Sequence, residues 1–314
     1  MTFLTQDVSL IVVRSFFLFL SRLKWLRRWM ETSSLAQRLS TRFVAGETLD
    51  QALAVARKLN AEGITVTLDH LGESVSTLDE AAEARDVYLR TLDAIHANGI
   101  QSGVSLKLTQ FGLDLSYEQC LANVDQLVRR AAELGSFVRV DMESSDYTDR
   151  TLDLVHTLHA RHGAVGVVIQ SYLYRSRNDI EKLCAAKIGV RLCKGAYLEP
   201  ATVAFPRKRD VDKSYLELAQ YLLQCGVYPG IATHDETVIR QICDFVRERQ
   251  IPLDRFEFQM LYGIRRDLQR RLVAEGYRLR LYVPFGKAWY PYYMRRLAER
   301  PANVFFIVRN LYRH

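Results

Sequence analysis

Past residue 60 the chain alternates between short β-branched runs and longer stretches in which apolar positions recur every three or four residues. The short runs are ITVTLD (64–69), GVSLKLT (103–109), FVRVDM (137–142), VGVVIQ (165–170), IGVRLC (188–193), GIATH (230–234), FEFQML (256–261) and LRLYVP (279–284). Between them lie segments such as YEQCLANVDQLVRRAAELG (117–135), whose apolar spacing and closing glycine predict an amphipathic helix. Strand and helix in regular alternation imply parallel strands joined by crossover helices. Eight such units over about 250 residues fit a closed (β/α)8 barrel of TIM type better than an open doubly wound sheet, which uses fewer strands. No Gly-x-Gly-x-x-Gly follows any run, so the usual dinucleotide fingerprint is missing. The predicted class is α/β: an N-terminal helical segment over 1–60, then a barrel over 61–314 that ends in a helix.

A barrel also says where chemistry belongs, because its active sites form at the C-terminal ends of the strands. The residues there are Asp69, Lys107, Asp141, Gln170, Arg191, Thr233, His234, Gln259 and Tyr282, a ring too polar for packing alone to explain. Residues 8–20, VSLIVVRSFFLFL, are strongly apolar, but Arg14 interrupts them and they fall short of the roughly 20 residues of a spanning helix. Asp7 precedes the run and Arg22, Lys24, Arg27 and Arg28 follow it, the reverse of a secretory signal. Either it packs on the domain or it lies in a membrane interface with Trp25 and Trp29 inserted among basic residues.

Composition changes this picture little. Hydrophobic residues at 48% and charged residues at 25% exclude a disordered or collagen-like chain. The net charge of +7 is spread among interleaved acidic residues, so no nucleic-acid stripe is visible. Five cysteines without a Cys-x-x-Cys pair, and seven histidines without His-Glu-x-x-His, predict neither a disulfide scaffold nor a structural metal. Each cysteine reads as a small apolar residue in a reducing compartment.

Five constellations could carry chemistry. YVPFGKAWYPYYMRRLAER (282–300) reads as a helix from Trp289, with Pro291 in its first turn; Arg295 and Arg296 could flank an anion at the barrel mouth, with tyrosines walling a small apolar ring. A solvated basic face is the plain alternative. RLCKGAYLEP (191–200) sets Arg191, Lys194 and Gly195 after the fifth strand, where cations and free backbone N–H groups suit phosphate oxygens or an electron-rich heterocycle. Lys107 and Asp141 form either a structural ion pair, a Schiff-base site or a carboxylate-binding pair. DHLGES (69–74) offers Glu73 as a partner for an arginine, and ATHDE offers Thr233 and His234 as hydrogen-bonding groups for a cofactor.

Taken together, DHLGES, SLKLTQFG, VRVDMES, VVIQSYL, VRLCKGAY, ATHDE, FEFQMLYG, LYVPFG and YYMRRLAE, in this order from residue 69 to 299, resemble the proline dehydrogenase family in its compact monofunctional bacterial form. The resemblance implies a distorted (β/α)8 barrel that holds FAD without a Rossmann domain. It implies oxidation of L-proline to Δ1-pyrroline-5-carboxylate by hydride transfer to the flavin N5, with electrons passed to quinone.

By the same resemblance Lys107, Arg295 and Arg296 would hold the proline carboxylate, with Asp141 and Glu73 orienting those cations. Tyr282, Leu261, Tyr293 and Ala196 would pack around the pyrrolidine ring, Tyr282 also disfavouring a 4-hydroxyl. Arg191 would sit near the flavin N5, and Met142, Gln170, Lys194, Gly195, Ala196, Thr233, His234 and Glu299 would contact FAD. Where many members have Asn after the histidine, this chain has Asp235. The implied setting is cytoplasmic, peripheral on the inner face of the bacterial membrane, with the product handed to a separate pyrroline-5-carboxylate dehydrogenase. Two other readings remain: another flavin barrel, such as a methylenetetrahydrofolate reductase-like protein, or a Lys107 Schiff-base lyase without flavin. A hydride leaves proline only when its amine is deprotonated, so activity is expected to rise through neutral to mildly alkaline pH.

Overall fold

Eight parallel strands close on themselves in chain order, each at one of the eight β-branched runs. They are β1 (Thr65–His70), β2 (Ser102–Leu106), β3 (Val138–Val140), β4 (Val165–Gln170), β5 (Gly189–Cys193), β6 (Gly230–Ala232), β7 (Glu257–Leu261) and β8 (Leu279–Phe285). The structure is a computed structural model that describes residues 42–72, 75–290, 292 and 294. Closure is made by β1 and β8, paired from Thr65 opposite Arg280 to His70 opposite Phe285. The barrel therefore has no free edge along β1 and β8 to attract another chain.

The helices are α1 (Leu49–Ala61), α2 (Leu78–Ala97), α3 (Tyr117–Glu133), α4 (Thr148–His162), α5 (Ser176–Ala185), α6 (Lys208–Cys225), α7 (Glu236–Glu248) and α8 (Arg266–Ala274). A further helix starts at Trp289, as the position of Pro291 predicts. Starts are set by side chains: Thr48 and Gln51 form a capping box on α1, and Thr77 and Ser116 accept the third-residue N–H of α2 and α3. α3 buries Val124, Leu127, Val128 and Ala131 on one stripe, against the outward faces of the strands. Truncating Leu127 to alanine there would cost about 2–5 kcal/mol. α1 straddles the boundary expected at residue 60 and places Ala52, Leu53, Ala56 and Leu59 in the same core as the strands.

Strand alternation divides the residues between two environments. Val66, Val104, Val138, Val167, Val190 and Leu281 belong to the apolar shell under the helices. The opposite parity fills the barrel with polar groups in layers. Deepest lie Arg139, Glu257 and Arg280, with Arg280 paired to Glu257 at 2.6 Å and Arg139 donating to the Gly189 carbonyl at 2.6 Å. Small residues make this layer fit: a Cβ on Gly166 would stand 2.6 Å from the Arg139 guanidinium, and one on Gly230 would run into the Gln259 amide.

The sequence segment 8–20, with Trp25 and Trp29, lies outside the described residues, as do Glu73, Tyr293, Arg295, Arg296 and Glu299.

Candidate active site

Above the arginine layer, inward-facing side chains of five strands join into one hydrogen-bonded chain. Glu257 accepts from the Gln259 amide nitrogen at 2.6 Å, which turns the amide oxygen towards Arg191 Nε, 2.5 Å away. Arg191 then reaches Asp141 Oδ1 at 2.9 Å and Ser105 Oγ at 3.2 Å. Ser105 donates to the same carboxylate oxygen at 2.8 Å, and the Tyr282 hydroxyl donates to Asp141 Oδ2 at 2.9 Å. The carboxylate thus fixes one cation and one phenol at the barrel mouth, as charge-assisted hydrogen bonds do when partly desolvated. Burial, with Asp141 adding to it, drives the Tyr282 hydroxyl well above its ordinary value, so it remains a donor. Burial opposes the charge of Glu257, but Arg280 and the hydrogen bonds from Arg280 and Gln259 outweigh it and bring the carboxyl below its usual range.

Lys107 directly follows β2 at the rim, its Nζ 4.0 Å from Asp69 Oδ2, while Tyr88 donates to Asp69 Oδ1 at 3.0 Å. The ion pair of Asp141 with Arg191 links the expected substrate and flavin regions, which sequence reasoning treated separately.

Beyond this cluster opens a cavity of about 820 Å3. It is lined by Lys107, Asp141, Arg191 and Tyr282 on the charged side. Met142, Val168, Ala232, Met260 and Leu261 form the apolar side. Gln170, Lys194, Gly195, Ala196, Thr233 and His234 also line it, so every described residue that the family resemblance gave to substrate or flavin faces one space.

The supports of these residues are specific. Gln170 donates to the Glu143 carbonyl at 2.8 Å and accepts from Ala196 N at 3.2 Å, tying the loop after β5 to the one after β3. Glu199 strengthens that tie by accepting from Ser145 N at 2.7 Å and Ser145 Oγ at 2.6 Å. Gly195 has φ +123°, and a Cβ there would stand 2.5 Å from the Tyr172 ring, so this turn excludes any side chain. Lys194 bridges Asp212 at 2.5 Å and Asp235 at 3.1 Å. Asp235 also caps α7 through Thr237 N and Val238 N, which gives the departure from the family's Asn a local role. His234 Nε2 accepts from Leu261 N at 2.8 Å, placing the ring proton of the neutral form on Nδ1.

Among the lining residues that the sequence reading missed, one carries charge into the buried wall. Glu143, in VDMES, is buried and accepts from Thr109 N at 3.1 Å and Thr109 Oγ1 at 2.8 Å. Burial, against those two hydrogen bonds, raises its carboxyl above the ordinary value. Tyr292, one of the tyrosines expected to wall a small apolar ring, lines the cavity, because the three-residue step from buried Trp289 puts it on the inner face of the last helix.

A family model described as proline dehydrogenase matches residues 52–309. The proline dehydrogenase of Deinococcus radiodurans is 45% identical over 278 residues, covering 87% of this chain and 90% of that protein. Proline dehydrogenase 1 of Bacillus subtilis is 41% identical over 301 residues, covering 96% and 99%. Among solved structures, proline utilization A (PutA) from Bdellovibrio bacteriovorus, inactivated by N-propargylglycine, superposes with a TM-score of 0.78 at 26% identity. That match covers 83% of this chain and 32% of the other, so the chain spans about a third of that larger protein. With identity this high across nearly the full length of its monofunctional relatives, the chain belongs to the proline dehydrogenase family.

Proposed function

We propose that this chain binds FAD in the mouth cavity and oxidises L-proline to Δ1-pyrroline-5-carboxylate, with quinone as the final electron acceptor. The observation that carries the reading is the Arg191–Asp141–Tyr282 cluster opening, with Lys107, onto a single cavity that also has an apolar wall. Its volume of about 820 Å3 lies in the range of cofactor sites and far exceeds what a five-membered-ring amino acid fills. The donor set fits a flavin: Met142, Val168 and Leu261 suit the faces of a flat ring, while Arg191, Thr233, His234 and Gln170 supply polar groups for its edge. Lys194 and the Gly195 turn suit phosphate oxygens.

When bound, FAD supplies the acceptor for the hydride that leaves the proline carbon beside nitrogen. The protein's part is orientation and electrostatics. Lys107, with Arg295 and Arg296 by the family resemblance, neutralises the carboxylate; Glu73 orients the arginines, and Tyr282, Leu261, Ala196 and Tyr293 wall the ring. Asp141 holds Arg191 and Tyr282 rigid, so the guanidinium meets developing negative charge without reorganising. Glu299 adds a cofactor contact. Among the described residues no helix is long and apolar enough to cross a membrane; the basic, aromatic residues Arg22 to Trp29 are compatible with peripheral contact at a membrane that holds the quinone. The product passes to a separate pyrroline-5-carboxylate dehydrogenase.

The test is the visible absorption spectrum of the purified protein before and after anaerobic L-proline. A flavin spectrum that bleaches with L-proline and not with D-proline supports the reading; protein that stays colourless after FAD is supplied overturns it. Arg295→Met or Arg296→Met should weaken proline saturation severely while flavin stays bound.

A further inference from the structure

Away from the mouth, two thiols 41 residues apart in sequence meet. Cys184 sits in the last turn of α5 and Cys225 is the final residue of α6, with their sulfurs 3.5 Å apart. Cys225 is exposed and also donates to the Tyr221 carbonyl at 3.1 Å, while Cys184 is half-buried between the helices. The sequence showed no such pair, because the two cysteines belong to successive helices whose packing alone brings their ends together. Among the described residues no cluster of three or more His, Cys, Asp or Glu could hold a metal ion, so two sulfurs here would leave a tetrahedral zinc two ligands short.

We propose that Cys184 and Cys225 form an oxidisable dithiol pair that hydrogen peroxide converts into a disulfide bridging α5 and α6. Exposure assigns the first step to Cys225. Its sulfur attacks one peroxide oxygen, the O–O bond breaks, and the thiol becomes a sulfenic acid with release of one water. The Cys184 sulfur then attacks the sulfenic sulfur; the S–S bond forms, the S–O bond breaks, and the oxygen leaves with the Cys184 proton as a second water. Two thiols lose two electrons in all, and one peroxide is reduced to two waters. Burial, followed by the hydrogen bond from Cys225, pushes the Cys184 thiol up to about 12, which fits a resolving sulfur better than a first nucleophile.

The bridge would close a loop that contains β5 and the segment bearing Arg191, Lys194, Gly195 and Ala196. The C-terminal ends of α5 and α6 lie at the opposite end of the barrel from the mouth, since each leads into the start of the next strand. Oxidation should therefore change stability and leave the mouth alone.

The experiment treats the full-length protein with hydrogen peroxide, blocks remaining thiols with N-ethylmaleimide and maps the peptides by mass spectrometry without reduction. The expected result is one cross-linked Cys184–Cys225 pair, loss of two of the five thiols, and a melting temperature raised by about 5 °C or more that dithiothreitol reverses. Cys184→Ser and Cys225→Ser should each abolish the cross-link and the shift. Oxidation of Cys225 to a sulfinic acid without a cross-link, or a disulfide to any other cysteine, overturns the proposal.

Discussion

The Arg191 guanidinium lies 5.4 Å from the centroid of the Tyr282 ring, and opposite oxygens of Asp141 hold the two side chains in that pose. Asn at position 141 keeps the volume but withdraws the charge that both donors share. Each hydrogen bond to a charged group contributes about 1.5–3 kcal/mol, so Asp141→Asn should lower kcat/KM for L-proline by about 10- to 100-fold. Tyr282→Phe removes one donor and leaves the ring, and should lose less. Steady-state kinetics with an artificial electron acceptor checks both, and equal losses would contradict a carboxylate shared between the two.

Below this pair, Glu257 is the anion among Arg139, Arg280 and the Gln259 amide. Removing it leaves buried positive charge uncompensated, at a cost of about 3–5 kcal/mol. Glu257→Gln should therefore lower the melting temperature by about 10 °C at neutral pH. The folded protein holds this carboxyl below its ordinary value, so its stabilisation is present above the usual carboxylate range and is lost as pH falls through the depressed value. The gap between wild type and variant should narrow on acidification. Thermal melts at pH 7 and pH 4 decide it.

Much of this molecule was legible beforehand, for a reason visible in particular residues. Each β-branched run became a strand because its short apolar stretch and the helical periodicity flanking it agreed, as at GVSLKLT and VGVVIQ. Lys107, Arg191 and Tyr282 reached the mouth because strand ends in a barrel have one place to go. What stayed hidden was partner choice. Asp141 could have met Lys107 or an arginine, and only the register of β3 against β4 and β5 brings it to Arg191. The deeper layer did leave a signal: Arg139 precedes Asp141 by two, Glu257 precedes Gln259 by two, and Arg280 precedes Tyr282 by two, which puts each pair on one face of its strand. Glu143 left none, since it follows the strand and its inward turn depends on Thr109.

Glu143 is the counterpart of Glu257 in its response to pH. Burial outweighs the opposing hydrogen bonds from Thr109 and raises its carboxyl above the ordinary value, so the folded state favours protonation more than the unfolded chain does. Its contribution is then fully present at acid pH and is lost as pH rises through the ordinary and then the raised value. Glu143→Gln cannot ionise. The melting temperature of the variant relative to wild type should become more favourable from pH 4 to pH 8, and a difference that does not grow with pH would remove the assignment.

Gly195 joins two constraints, a left-handed backbone and a space already filled. Its φ of +123° lies where side chains are strained by about 1–3 kcal/mol, and the space its Cβ would need is taken by the Tyr172 ring. The turn carries Lys194 and Ala196 into the cavity, so a displaced backbone moves the loop that is assigned to the flavin phosphates. Gly195→Ala should lower the melting temperature by several degrees and weaken FAD retention by about 10-fold, the effect of a 1.4 kcal/mol misfit. Adding Tyr172→Ala opens the space without relieving φ, and so should recover only part of the loss. Dialysis against FAD-free buffer, followed by the absorbance of retained flavin, separates the two contributions: full recovery in the double variant would assign the whole effect to the Tyr172 contact, and no recovery would assign it to the backbone.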